Sequence, residues 1–149
     1  MTIMTIPSFH GRLAFCSNFY WCPVTLDGWT YPTAEHAYQA RKMATKEDHD
    51  RVAGAWKPGH AKHMTRGLPA RKNWYRIKHF VMRRVLEAKF SDTKLATMLL
   101  ATGTEELVEN NTWGDTYWGV YNGVGENHLG KLLMAIREEL QITQKRRKK

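Results

Sequence analysis

Between residues 71 and 90 the apolar side chains Trp74, Ile77, Val81, Met82, Val85 and Leu86 recur at spacings of three and four. That is the period of one face of an α-helix and does not match the alternation of a half-buried strand. Such a helix must lay its apolar stripe on other elements, so the rest of the chain has to supply a core. With 149 residues, 42% of them hydrophobic, the chain is long enough for one core with little room for two, and too apolar to stay disordered.

The neighbouring segments supply the partners. Residues 23–31 read as two short extended runs joined at Asp27-Gly28, a hairpin signal. Pro32-Thr33 opens a helix, with Thr33 as cap, Glu35 in the first turn, and Ala34, Ala37, Tyr38 and Arg41 on one face. A second helix starts at Thr45, with Asp48 three residues on, and runs towards Trp56 until Pro58-Gly59 stops it; residues 60–66 add a short helical piece. Asp92 caps a helix through Leu95, Leu99 and Leu100 that ends at Thr102-Gly103. Residues 106–109 and 117–121 read as short strands around a turn at Asn110-Asn111. A Gly-rich stretch, 123–130, leads into a last helix whose stripe is Leu129, Leu132, Leu133, Ile136 and Leu140. Without repeats or a linker, the expectation is a mostly helical α+β single domain with small β elements over residues 1–142, then a disordered basic tail, 143–149.

Charge narrows the function classes. The chain carries 23 Lys+Arg against 14 Asp+Glu, a formal +9; Lys145, Arg146, Arg147, Lys148 and Lys149 account for five of these, leaving +4 for residues 1–144. A nucleic-acid-binding protein acting through this tail would explain those five residues and nothing else. No apolar run has the length a membrane helix needs, and Met1-Thr2-Ile3-Met4-Thr5-Ile6-Pro7 has neither a basic region nor a long apolar stretch, so a cytoplasmic protein with no membrane partner is expected. Two cysteines, Cys16 and Cys22, do not make a disulfide framework or a zinc motif. The seven histidines are scattered, and His60 with His63, the one pair at helical spacing, has no acidic or cysteine third ligand nearby. No metal is expected, and phosphate-loop, H-E-x-x-H and G-x-S-x-G motifs are all missing.

Three features remain. Glu35 sits at a helix start in Pro32-Thr33-Ala34-Glu35-His36-Ala37-Tyr38-Gln39-Ala40, where complementation of the helix dipole is the plain reading. Trp113-Gly114-Asp115-Thr116-Tyr117-Trp118-Gly119 puts three aromatics and a carboxylate on a Gly-punctuated loop, where a tryptophan often serves only as a lid on the core. Arg12, Lys62, Arg66, Arg71 with Trp74, and Lys78 are cations near aromatics, each by itself a solvated charge. Together they suit cleavage of a C–N bond between sugar and base. A carboxylate stabilises the oxocarbenium-like sugar and activates water, aromatic planes hold the base, and cations hold phosphates. The same set also suits a protein that merely binds a nucleotide.

Several short motifs resemble one family. Phe15-Cys16-Ser17-Asn18-Phe19-Tyr20, Val24-Thr25-Leu26-Asp27-Gly28 and Tyr31-Pro32-Thr33-Ala34-Glu35-His36-Ala37-Tyr38-Gln39-Ala40 are similar to the N-terminal half of the NADAR superfamily, the YbiA-like N-glycosidases. Ala61-Lys62, Arg66-Gly67, Arg71, Trp74, Lys78, Lys89-Phe90, Thr102-Gly103, Leu107-Val108-Glu109, Trp113, Asp115, Trp118-Gly119, Gly125, Asn127 and Leu129-Gly130 continue in the family's order. Where the family often has Asp before the central tryptophan, this chain has Asn73.

The resemblance implies a largely helical α+β domain that hydrolyses N-glycosidic bonds without a metal or organic cofactor. It implies two substrate classes: phosphoribosylamino-pyrimidine intermediates of riboflavin synthesis, and ADP-ribose on guanine bases of nucleic acid. Glu35 is then the chief catalytic carboxylate, with Asp115 assisting. Trp74, Trp113 and Trp118 stack the base or sugar, Asn18 and Asn127 contribute to the substrate site, and Arg12, Lys62, Arg66 and Lys78 meet phosphates. The alternative is a non-catalytic module that binds ADP-ribose or NAD, for which two carboxylates in a basic, aromatic pocket would be superfluous.

Overall fold

The computed structural model describes residues 9–149; the Met1–Pro7 stretch read above for targeting lies outside them. The fold is α+β, mostly helical, with two small two-stranded sheets among the described residues. The contacts of the described residues gather into two compact units, one of residues 18–89, the other of residues 9–17 together with 90–149. No helix among the described residues is long and apolar enough to cross a membrane.

In the 18–89 unit, β1 (Trp21–Leu26) and β2 (Trp29–Thr33) form an antiparallel hairpin in which Leu26 pairs with Trp29 across Asp27-Gly28. Both turn residues have positive φ, 51° and 79°, as a two-residue turn matched to strand twist requires. The register slips between Trp21 and Val24, where Pro23 has no N–H for the ladder. Helix α1 (Ala34–Lys42) follows directly, capped by the Thr33 side chain, which accepts from the His36 N–H. Every residue from Ala34 to Ala40 is buried, so α1 is enclosed all round and not only along the face expected for it. Helix α2 (Lys46–Ala53) starts under its Thr45 cap as read from the sequence but ends at Gly54. Pro58-Gly59 does not act as the stop assigned to it. Pro58 instead sits at the start of α3 (Pro58–Met64), the helix position where a missing N–H costs nothing. Helix α4 (Trp74–Lys89) buries Trp74, Val81, Met82, Val85 and Leu86 as its spacing requires.

The other unit holds a 3₁₀ turn (Gly11–Cys16), α5 (Thr93–Ala101), α6 (His128–Arg147) and a minimal parallel pair, β3 (Asn110–Asn111) with β4 (Val120–Tyr121). Asp92 caps α5 through the Leu95 N–H, and Gly103 leaves it with φ of 62°. The strand expected at 106–109 is absent, and the Asn-Asn pair expected to turn is itself the strand. Side-chain amides explain the exchange: Asn127 donates to the Leu107 carbonyl and accepts from the Glu109 N–H, taking up the polar groups a strand partner would have used. Gly130 allows this, because a Cβ there would run into the Leu107 carbonyl and the Asn127 amide. Of the strand expected at 117–121, only Val120 and Tyr121 pair. The basic run expected to be disordered continues α6 as far as Arg147, where cations suit the negative end of a helix. Neither Cys16 nor Cys22 forms a disulfide among the described residues.

Helices α5 and α6 pack on Leu95, Leu99, Leu129, Leu132, Leu133 and Ile136 and enclose one cation. Arg137, 6% exposed, donates from Nη1 to the Thr102 hydroxyl at 2.9 Å. Burial pulls its pKa below the usual guanidinium value, against the nearby Glu105 charge. Thr102→Val leaves that buried donor unsatisfied and is expected to cost about 1–3 kcal/mol in urea denaturation, with Thr102→Ser retaining most of the stability.

Candidate active site

Glu35 lies in the first turn of α1, 6% exposed, with its backbone N–H donating to the Asn18 carbonyl at 2.9 Å. Its Oε1 accepts from Gln39 Nε2 at 2.8 Å, one helical turn along. Gln39 is held in turn, since its Oε1 accepts from the Thr65 hydroxyl at 3.1 Å, a hydroxyl also 2.9 Å from the Lys62 carbonyl. All three side chains are buried. With its oxygen turned to the Thr65 hydroxyl, the amide presents its NH₂ to Glu35.

Around this chain stand two lysines. Lys42, two turns from Glu35 on the same helix face, is half-buried. Desolvation lowers its pKa most, Glu35 opposes that shift, and the positive charge of Lys78 adds to it. Lys78 also lies over the Tyr75 ring, 5.5 Å from its centre. Trp74, 6% exposed, packs at 5.2 Å against Tyr38. Buried Asn18 donates to Met82 Sδ at 3.3 Å, and its Oδ1 has no hydrogen-bond partner among the described residues. The structure therefore groups Glu35, Asn18, Trp74, Lys62 and Lys78 in one unit, with exposed Arg66 on the turn after α3. Gln39, Thr65 and Lys42 were missed as site residues, although the i+4 and i+7 spacings of Gln39 and Lys42 from Glu35 were readable.

Behind Glu35, His36 is fully buried. Its Nε2 is 2.8 Å from the Ala55 carbonyl and must donate to it, so Nδ1, 2.8 Å from the Thr33 hydroxyl, accepts. The same Thr33 oxygen accepts from the His36 N–H. Burial holds the imidazole pKa below its ordinary value, with the Ala55 bond opposing.

The other unit carries Asp115, Trp113, Trp118, Asn127 and Arg12. Asp115 Oδ1 accepts from the Tyr117 and Trp118 N–H groups at 3.0 and 2.9 Å, while Asn111 grips the Asp115 backbone from both sides. The loop thereby fixes the carboxylate. Trp113 is 55% exposed; Trp118 is half-buried, with the Tyr117 ring edge-on at 4.8 Å. Asn127 uses both ends of its amide on the Leu107 and Glu109 backbone. Arg12 makes a two-pronged pair with Glu105 at 2.9 and 2.8 Å. Among the described residues no three His, Cys, Asp or Glu side chains group as metal ligands.

The chain is similar to several known proteins. A NADAR domain model matches residues 9–141. The chain is 44% identical over 130 residues to N-glycosidase YbiA of Shigella boydii serotype 4 (strain Sb227), covering 85% of this chain and 81% of that one. It is 41% identical over 136 residues to riboflavin biosynthesis protein VVA0006 of Vibrio vulnificus (strain YJ016), covering 89% of this chain and 36% of that one. An NMR structure of the E. coli protein YbiA is similar at a TM-score of 0.82 and 39% identity, covering 97% of this chain and 89% of that one.

The folded protein takes up a proton at His36 less readily than the unfolded chain. Lowering the pH from about 7.5 to 5.5 protonates the unfolded imidazole first, near pH 6.5, so stability falls as pH falls. Denaturant midpoints across that range are expected to decline on acidification, and to decline less steeply in His36→Gln.

Proposed function

The chain belongs to the NADAR family, and from that premise we propose that it hydrolyses the C–N glycosidic bond of a ribosylated nucleobase-type substrate, with Glu35 as its chief catalytic carboxylate. Its relatives named N-glycosidase make it a hydrolase acting on N-glycosyl bonds. One observation carries the choice of Glu35: a buried carboxylate, oriented by the Gln39–Thr65 chain, whose charge acts on Lys42, itself near Lys78.

In this reading, water attacks the anomeric carbon as the bond to the base nitrogen breaks. The Glu35 carboxylate stabilises the positive charge that develops on the ribose and takes the proton from the incoming water. The electron pair of the broken bond leaves with the base, which takes up the proton that Glu35 removed from the water, so the carboxylate returns to its starting state. Asp115, its orientation set by the Tyr117 and Trp118 amides, assists at the sugar. Trp74, Trp113 and Trp118 bound the base or sugar, and Asn18, whose Oδ1 is buried with no hydrogen-bond partner among the described residues, contributes to the substrate site. Lys62, Arg66 and Lys78 meet phosphate, and Arg12 does so by exchanging Glu105 for it. Asn127 supports the site through the loop backbone it holds.

For the substrate we favour phosphoribosylamino-pyrimidine intermediates, because relatives in Vibrio vulnificus and Zea mays are named riboflavin biosynthesis proteins. ADP-ribosylated guanine in nucleic acid is the second reading, favoured by the exposed basic end of α6. Mass spectrometry of released base after incubation with each substrate separates the two. Glu35→Gln is expected to lower kcat by about 10²–10⁴-fold with little change in KM, while Lys78→Ala raises KM. Undiminished turnover in Glu35→Gln would remove the residue from the mechanism.

A further inference from the structure

Arg71 is the one cation singled out in the sequence that the proposed glycosidase reading leaves without a role. The end of α1 and the segment before α4 are tied by a short backbone ladder: Ala44 N–H to the Pro69 carbonyl at 3.1 Å, Arg71 N–H to the Lys42 carbonyl at 3.0 Å, and a bridge between Met43 and Ala70. This ladder fixes the backbone from which the Arg71 side chain projects. The exposed guanidinium has no hydrogen bond or ion pair among the described residues.

Two clefts meet at this side chain. One, of about 320 Å³, is lined by Arg41, Lys46, His49 and Arg71; the other, of about 190 Å³, by Arg41, Arg71, Arg84 and Phe80. Arg41 lies roughly 120° around α1 from Glu35 and about 9 Å further along it. The clefts are thus separate from the Glu35 face. No carboxylate lines either of them. Nearby, Asp27 pairs with Arg41 at 2.7 Å and with Arg84 at 2.9 Å, and Asp50 pairs with Lys46 at 2.6 Å and His49 at 2.9 Å. Four permanent cations therefore face two carboxylates, and the excess sits where Arg71 stands unpaired. The Asp pairs also hold Arg41 and Lys46 in place, so a ligand finds a partly ordered set of donors.

We propose that this cleft is a phosphate-binding site, separate from the glycosidase pocket, in which the Arg71 fork takes two phosphate oxygens while Lys46 and Arg41 add charge. The phosphate is either that of a small free anion or a diester of a nucleic-acid backbone. The site is argued from binding geometry and stands whether or not Glu35 is catalytic.

Isothermal titration calorimetry on the full chain at low ionic strength tests it, with sodium pyrophosphate in one arm and a short single-stranded oligonucleotide in the other. Saturable one-to-one binding is expected in at least one arm, weakened about tenfold or more in Arg71→Ala and less in Lys46→Ala. Arg71→Lys, which keeps the charge and loses the fork, falls between wild type and Arg71→Ala. Lys94→Ala, an exposed cation on α5, removes the same charge elsewhere and is expected to change affinity less than twofold. Pyrophosphate binding alone identifies a free anion as the ligand, and oligonucleotide binding alone identifies the backbone diester. Absence of saturable binding in both arms overturns the proposal, as does a loss in Lys94→Ala equal to that in Arg71→Ala. Because the Arg71 side chain makes no hydrogen bond or ion pair among the described residues, its variants are expected to melt like wild type by circular dichroism.

Discussion

The first turn of α1 is buried on every side, and that single condition shapes the 18–89 unit. A helix start carries unsatisfied N–H groups, and burying them beside a carboxylate and an imidazole is unfavourable unless each polar group has a partner. Thr33 provides the pivot, since its oxygen serves both the His36 N–H and the His36 ring. The ring then reaches the Ala55 carbonyl, tying the end of β2 to the link between α2 and α3. With His36 committed to that side, Glu35 points about 100° away around the helix, towards the side occupied by Gln39 and Lys42. The side of α1 on which Glu35 stands thus follows from how the cap is satisfied.

In the other unit, side-chain amides do what sheet hydrogen bonds do elsewhere. Asn111 and Asn127 each bind backbone groups from distant positions, and the strand pair they accompany is only two residues long on each side. Gly119 and Gly130 are required beside them, because a Cβ at either would meet the carbonyl of Glu109 or Leu107. A loop organised in this way holds Asp115 and the tryptophans beside it without needing a larger sheet.

Formal charge says little until its pairings are known. Arg12, Arg41, Arg84 and Lys46 are each engaged with a carboxylate, Arg137 is buried on Thr102, and Lys42 is half-buried facing Glu35. Beside Glu35, Lys42 and Lys78 keep positive charge close together, and among the remaining cations the end of α6 and the fork of Arg71 stand out.

Local signals carried far in this chain. The caps at Thr33, Thr45 and Asp92, the Asp27-Gly28 turn and the stripe of α4 depend on neighbours within a few residues, and each was legible. Glu35 was legible as a helix-start carboxylate, and the ordered motifs pointed to its family. The misread stretches, 106–121 and the start of α3, depend on partners far along the chain or on which of two adjacent helices a proline joins. Asn127 lies some twenty positions from Leu107, and no periodicity encodes such a bond. The sequence by itself determined the helices, the hairpin and the supply of carboxylates, aromatics and cations, because these follow from backbone propensity and local hydrogen bonding. Only the tertiary structure decided that Gln39 and Thr65 hold Glu35, that Glu105 occupies Arg12, and that Arg71 stands unpaired. Those outcomes turn on which side chains meet in space, and burial sets the strength of each meeting.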